Sequence, residues 1–164
     1  MSSKTLCASV RFAAIVVAVC GVFLLWVFHK LISDYTQVFL DFCIYNDVFP
    51  TVIPWRMIVS LASLPCLGVL ICMWAVSNTI ARDTVFTNKT AKWISRSAFL
   101  LFADAGFVFA ANIVMFLLSY SHPGVLFVCI IVTLAFVALG LLAAVLSRYI
   151  AKAADLQEIS EGTI

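Results

Sequence analysis

Four apolar runs, at residues 10–28, 57–76, 98–118 and 125–146, organise the chain. Each is about 20 residues long, and a helix rising about 1.5 Å per residue then crosses the roughly 30 Å hydrocarbon core. The pattern predicts an all-α integral membrane protein. It is a four-transmembrane-helix bundle forming one membrane domain over residues 1–164, because the stretches between the runs are too short to bury a second core.

The connections are unequal. Residues 29–56 form a long one on the outer side. Leu31, Ile32, Tyr35, Val38, Phe39, Phe42 and Tyr45 recur at spacings of three and four, which is one apolar helix face, with Ser33, Asp34, Gln37 and Asp41 on much of the rest. Phe49-Pro50 and Ile53-Pro54 then read as breaks. A partly helical outer segment is therefore expected after helix 1, followed by an extended return, with Trp55 and the other aromatics at the membrane–water boundary. It reads either as a cap over the outer end or as a ligand-sensing surface. The inner loop, 77–97, contains a helix start at Thr87 or Asn88. That start places Lys89, Lys92 and Arg96 on one face, with Trp93 and Ile94 in the interface. The outer turn, 119–124, is short and rich in turn formers, so runs three and four are antiparallel neighbours. The tail, 147–164, continues as helix, with Tyr149, Ala153, Leu156 and Ile159 on a mildly apolar face. Arg148, Lys152, Asp155 and Glu158 lie elsewhere, Lys152 and Asp155 can pair at i,i+3, and Gly162 is a plausible stop. Pro65 interrupts run two and leaves the Leu61 carbonyl without its usual donor, as a packing kink or a hinge.

Composition fixes the class. The chain is 65% apolar and 11% charged, against about half and a quarter in soluble domains. The net charge of +2 says less than its placement. Eight of the ten basic residues lie before or at the very start of run one, between runs two and three or after run four; only Lys30 and Arg56 flank the outer loop. Cytoplasmic loops retain Lys and Arg, so both termini are expected in the cytoplasm, N-in/C-in. The acceptor triplet Asn88-Lys89-Thr90 then falls on the inner side and reads as accidental. Lys4 and Arg11 mimic a signal-peptide n-region, but the following apolar stretch is too long, and an uncleaved span is expected.

Chemistry is sparse. Asp104 is the one charge well inside a run, about 9 Å past Ala98 by helical rise. Such an acid faces the bundle or water. It lowers its cost by pairing with Arg11 or Arg148, or by staying protonated. Asn112, eight residues on, shares its side but not its line, and Ser119 lies nearer the Asn112 line. Three roles stay open for this set: glue between helices, a regulatory switch, or a transport path. The small-residue pairs Gly106/Ala110, Gly140/Ala144 and Ala14/Ala18 permit close packing and a homodimer. The six cysteines show no metal or redox spacing. Cys20, Cys66, Cys72 and Cys129 lie in runs, Cys7 is cytoplasmic and Cys43 is outside, where it has no intrachain partner but could bridge two copies. Asp34 and Asp41 are too few for a metal site. No metal, cofactor or catalytic group is expected: there is no P-loop, nucleophile elbow or H-E-x-x-H, and the two histidines are far apart. Four basic residues hugging the bilayer argue for lipid heads or a cytosolic protein, and against direct nucleic-acid binding.

Phe86-Thr87-Asn88 with Trp93-Ile94, and Ala153-Ala154-Asp155-Leu156-Gln157-Glu158 with the ending Gly162-Thr163-Ile164, resemble motifs of the domain-of-unknown-function 2975 family of small four-helix bacterial membrane proteins. The ending departs from the family pattern, with Gly162 where an Asp is typical. The resemblance implies a bacterial plasma-membrane location, no known enzyme activity, and gene neighbourhoods containing small helix-turn-helix regulators. The expected function is therefore non-enzymatic: a regulatory or interaction protein holding a cytosolic partner such as a small helix-turn-helix regulator. Lys89, Lys92, Trp93, Arg96, Leu156 and Glu158 are the docking candidates, and Pro65 is the hinge candidate. The alternative is a small transporter or channel subunit using Asp104 and Asn112, with Arg11 and Arg148 as the basic members of that set.

Overall fold

The computed structural model describes residues 3–42, 49–82, 84–121 and 123–161. Four helices occupy them: α1 (Ser3–Phe42), α2 (Phe49–Ala81), α3 (Asn88–Leu117) and α4 (Pro123–Glu161). Each is long and apolar enough to cross a membrane.

Local chemistry explains most boundaries. No glycine or proline stands between Gly21 and Pro50, so nothing stops α1 after its apolar run, and it continues to Phe42. Tyr45, Cys43 and Gly162 lie outside the described residues. Residues 49–56, expected in an extended return, are helical: Phe49-Pro50 and Ile53-Pro54 lie in α2. A proline in the first turn gives up an N–H that no carbonyl needed. Pro54 and Pro65 lie deeper, and the helix passes through both. Near Pro65, the Ser63 hydroxyl donates to the Ser60 carbonyl at 2.6 Å.

The start of α3 is a capping turn. Thr87 is extended (φ −131°, ψ 149°) and its side chain accepts from the Thr90 N–H. Thr90 is fully buried, and its hydroxyl donates to the Thr84 carbonyl at 3.3 Å. The far end of α3 closes with a reversed pair of bonds: Ser119 N–H to Phe116 O at 3.0 Å and Tyr120 N–H to Met115 O at 2.8 Å. This is the Schellman arrangement, which needs a left-handed residue after the helix. Ser119 takes that role with φ 63°. Ser119 thus belongs to the turn and does not extend the Asn112 line along α3.

The helices pack in chain order, α1 on α2, α2 on α3 and α3 on α4, the last pair most extensively. Cys7 meets Ser77, and Asn88 meets Asp155. The start of α1, the end of α2, the start of α3 and the end of α4 therefore share one end, called the terminal end below. Ala98, Ala105 and Ala154 are buried, and small residues let backbones approach where lipid removes the usual hydrophobic drive. Ala91, Ile94 and Ile150 form a core cluster with Val76, Ala143 and Ala151 at the terminal end. Ile94 thus lies in the core, not in the interface. Much of the remaining apolar surface is exposed, including Phe12, Phe23, Phe99 and Leu134, as a lipid-facing surface requires.

Candidate functional site

The intramembrane polar residues come from α3, but they serve different helix interfaces. Asp104 is 1% exposed. The Cys66 thiol of α2 donates to its Oδ2 at 3.3 Å, and Oδ1 has no partner. Asn112 is equally buried, with neither side-chain atom hydrogen-bonded among the described residues. The Cys129 thiol of α4 lies beside it. Asp104 therefore looks toward α2 and Asn112 toward α4, as expected for residues eight apart with a net rotation of roughly 80°. On α4 the Thr133 hydroxyl is also buried without a partner.

The expected pairing of Asp104 with Arg11 or Arg148 does not occur, and register explains why. Cys66 sets the level of Asp104 on α2. Arg11 sits at Ser77, 11 residues nearer the terminal end, or about 16 Å by helical rise. There its guanidinium donates to Ser77 Oγ at 3.2 Å and Asn78 Oδ1 at 2.9 Å, and lies 5.5 Å from the centre of the Trp74 ring. Arg148 is displaced similarly. Gly140 of α4 meets the Phe102 ring, so Arg148 lies eight residues, about 12 Å, nearer the terminal end. It is exposed.

Arg11 thus fastens α1 to α2. Cys7 completes that latch: it is buried, and its thiol lies 3.3 Å from Ser77 Oγ. A matching group ties the opposite end. The His29 ring approaches the Leu25 carbonyl through Nδ1 at 3.0 Å and the Ser60 hydroxyl through Nε2 at 3.4 Å. A carbonyl can only accept, so Nδ1 carries a proton. The Arg56 guanidinium donates to Ser33 Oγ, and Trp55 Nε1 donates to the Tyr120 carbonyl at 3.1 Å, pinning α2 to the α3–α4 turn.

The terminal end brings the other candidates together. Lys89, Lys92 and Arg96 are exposed along α3, and Arg96 stacks 4.9 Å from the Trp93 ring centre. On α4, Ser147, Ile150 and Ala154 form the packed face, and Ser147 Oγ donates to the Ala91 carbonyl at 2.8 Å. Tyr149, Leu156 and Ile159, on the mildly apolar face, are exposed. Asp155 accepts from Asn88 Nδ2 at 3.3 Å instead of pairing with Lys152. Leu156 and Glu158 lie past this bond, exposed, on a part of α4 that runs beyond the start of α3. Pro65 is half-buried within continuous helix.

Sequence reasoning missed the roles of Cys66 and Cys129, placed only as cysteines within runs, and the Arg11 partners Trp74, Ser77 and Asn78. A signal for Cys66 existed. A helical hairpin turning near residue 85 pairs positions whose numbers sum to about 170, which sets residue 66 opposite Asp104. The five described cysteines are free thiols, and no group of three metal-binding side chains occurs among the described residues.

Comparison with curated proteins and with solved structures finds no match. Residues 43–164 match the family model described as "Protein of unknown function (DUF2975)". That covers the end of the first connection and all of α2, α3 and α4, including the Asp104–Cys66 contact and the Asn88–Asp155 tie. The chain belongs to the DUF2975 family.

Proposed function

We propose that the protein is a non-enzymatic regulatory membrane protein whose terminal end faces the cytoplasm and holds a cytosolic protein partner. The observation that carries this reading is the Asn88–Asp155 hydrogen bond. It joins the start of α3 to the projecting end of α4. Basic Lys89 and Lys92 and the exposed Leu156 and Glu158 then stand on one two-helix platform. Such a surface offers both apolar anchoring and charge selection to a partner. The family resemblance points to a small helix-turn-helix regulator as the partner, sequestered at the membrane. The test is affinity capture from native membranes after crosslinking, read by mass spectrometry. Recovery of a small DNA-binding protein, and its loss when Leu156→Ser and Glu158→Lys are combined, is expected. A protein set indifferent to those substitutions would overturn the proposal.

A second reading, a small transporter or channel subunit, is favoured by one observation: Asp104 Oδ1 and both Asn112 side-chain atoms are buried without partners among the described residues. Against it stands their placement at two different helix interfaces. Reconstituted protein with a proton or cation flux that Asp104→Asn abolishes would establish this reading in place of the first.

A further inference from the structure

A groove of about 320 Å³ runs between α2 and α3 on the terminal half of the molecule, lined by Cys72, Ser95, Arg96, Phe99 and Leu100. Its walls are apolar and its rim is cationic. Phe99 is 72% exposed beside it, so the groove opens sideways, where lipid chains lie. Cys72 also walls a second apolar cavity of about 210 Å³ reached by Val10, Ile94 and Leu146. From the rim inward, one α3 face reads Lys89, Lys92, Arg96, Phe99, at spacings that keep these four on one side of the helix.

Charge selects the occupant. Asp104 is the only acidic residue on α2 or α3, and it lies eight residues deeper than Arg96, about 12 Å along the helix. The Arg96 guanidinium is held against Trp93 and makes no hydrogen bond to the protein among the described residues. Its donors suit a phosphate. The first turn of α3 carries Lys89 and no acidic residue, which opposes the helix dipole; an anion there would relieve that conflict. An arginine and a tryptophan at the edge of an apolar run also mark the headgroup level.

We infer that this groove is a binding site for an anionic phospholipid, its phosphate on Arg96 and Lys92 and an acyl chain along Phe99, Leu100 and Cys72. The site borders the proposed partner platform at Lys92 and leaves Lys89, Leu156 and Glu158 for the partner.

The test uses delipidated full-length protein in detergent, mixed with phosphatidylglycerol or phosphatidylcholine of identical chains, with retained lipid read by native mass spectrometry. Wild type is expected to keep one phosphatidylglycerol in preference to phosphatidylcholine. Removing each charge should weaken retention about fivefold, so Arg96→Gln with Lys92→Gln should lose about 25-fold. Lys152→Gln on α4 should change nothing. Glycerol phosphate, the headgroup without chains, should not compete, because the apolar walls would be left empty. Equal retention of the two lipids, or phosphatidylglycerol retention unchanged in the double variant, overturns the assignment. If the double variant fails to fold, wild type in rising salt decides: retention that does not fall overturns it as well.

Discussion

Asp104 shows how one side chain is tolerated in a membrane. Among the described residues no cation pairs with it, and its side-chain hydrogen bond is to the Cys66 thiol. Interhelical polar contacts of this kind contribute about 1 kcal/mol or less. Asp104→Asn is therefore expected to fold with stability changed by roughly 1 kcal/mol, and Asp104→Leu to fold as well, since no buried arginine is stranded. Thermal unfolding in detergent checks this, and collapse of both variants would show that Asp104 anchors the fold. Ser119 is the opposite case, a residue working against its own backbone. At φ 63° its Cβ is strained, so Ser119→Gly is expected to stabilise by roughly 0.5–1 kcal/mol and Ser119→Val to destabilise by about 1–2 kcal/mol. Equal stabilities for the three proteins would contradict the left-handed turn.

At the scale of helices, glycines separate packed faces from open ones. A Cβ on Gly140 would meet the Phe102 ring at 3.1 Å, whereas one on Gly106 would meet nothing. The sequence offered both as close-approach positions, and one is used within the chain. Gly140→Leu is expected to lose about 1–3 kcal/mol by overpacking, and Gly106→Ala to gain roughly 0.5–1 kcal/mol of helix propensity. Unfolding curves that fail to separate the two would place the α3–α4 contact elsewhere. The unpacked face around Gly106 leaves room for a second copy of the chain, and a shift toward monomer in Gly106→Leu would support the proposed homodimer.

For the whole molecule, the Cys7–Ser77 and Asn88–Asp155 contacts put the start of α1 and the end of α4 at the same end of the four helices. The basic residues concentrate there, so that side is expected to be cytoplasmic. A reporter active only outside the cell, fused after residue 164, should be silent; strong activity would invert the topology and remove the proposed partner surface from the cytosol.

Number and class of the helices were legible because apolar run length is set by bilayer thickness and owes nothing to neighbours, whereas the helices themselves run on to 30–40 residues. The Thr87 cap was legible for a similar reason, since a capping hydroxyl acts within three residues. The partners of Asp104 and Arg11 were not. Both were placed near one membrane boundary from their separate helices, yet antiparallel register sets them about 16 Å apart along the helix axes. Which face of the tail packs was not legible for a related cause. Tyr149, Leu156 and Ile159 make the more apolar stripe, but α3 offers small residues that admit Ser147, Ile150 and Ala154. In lipid, apolarity no longer decides which face is buried; close fit does. Close fit depends on where a second helix lies, and that is settled only when the helices pack.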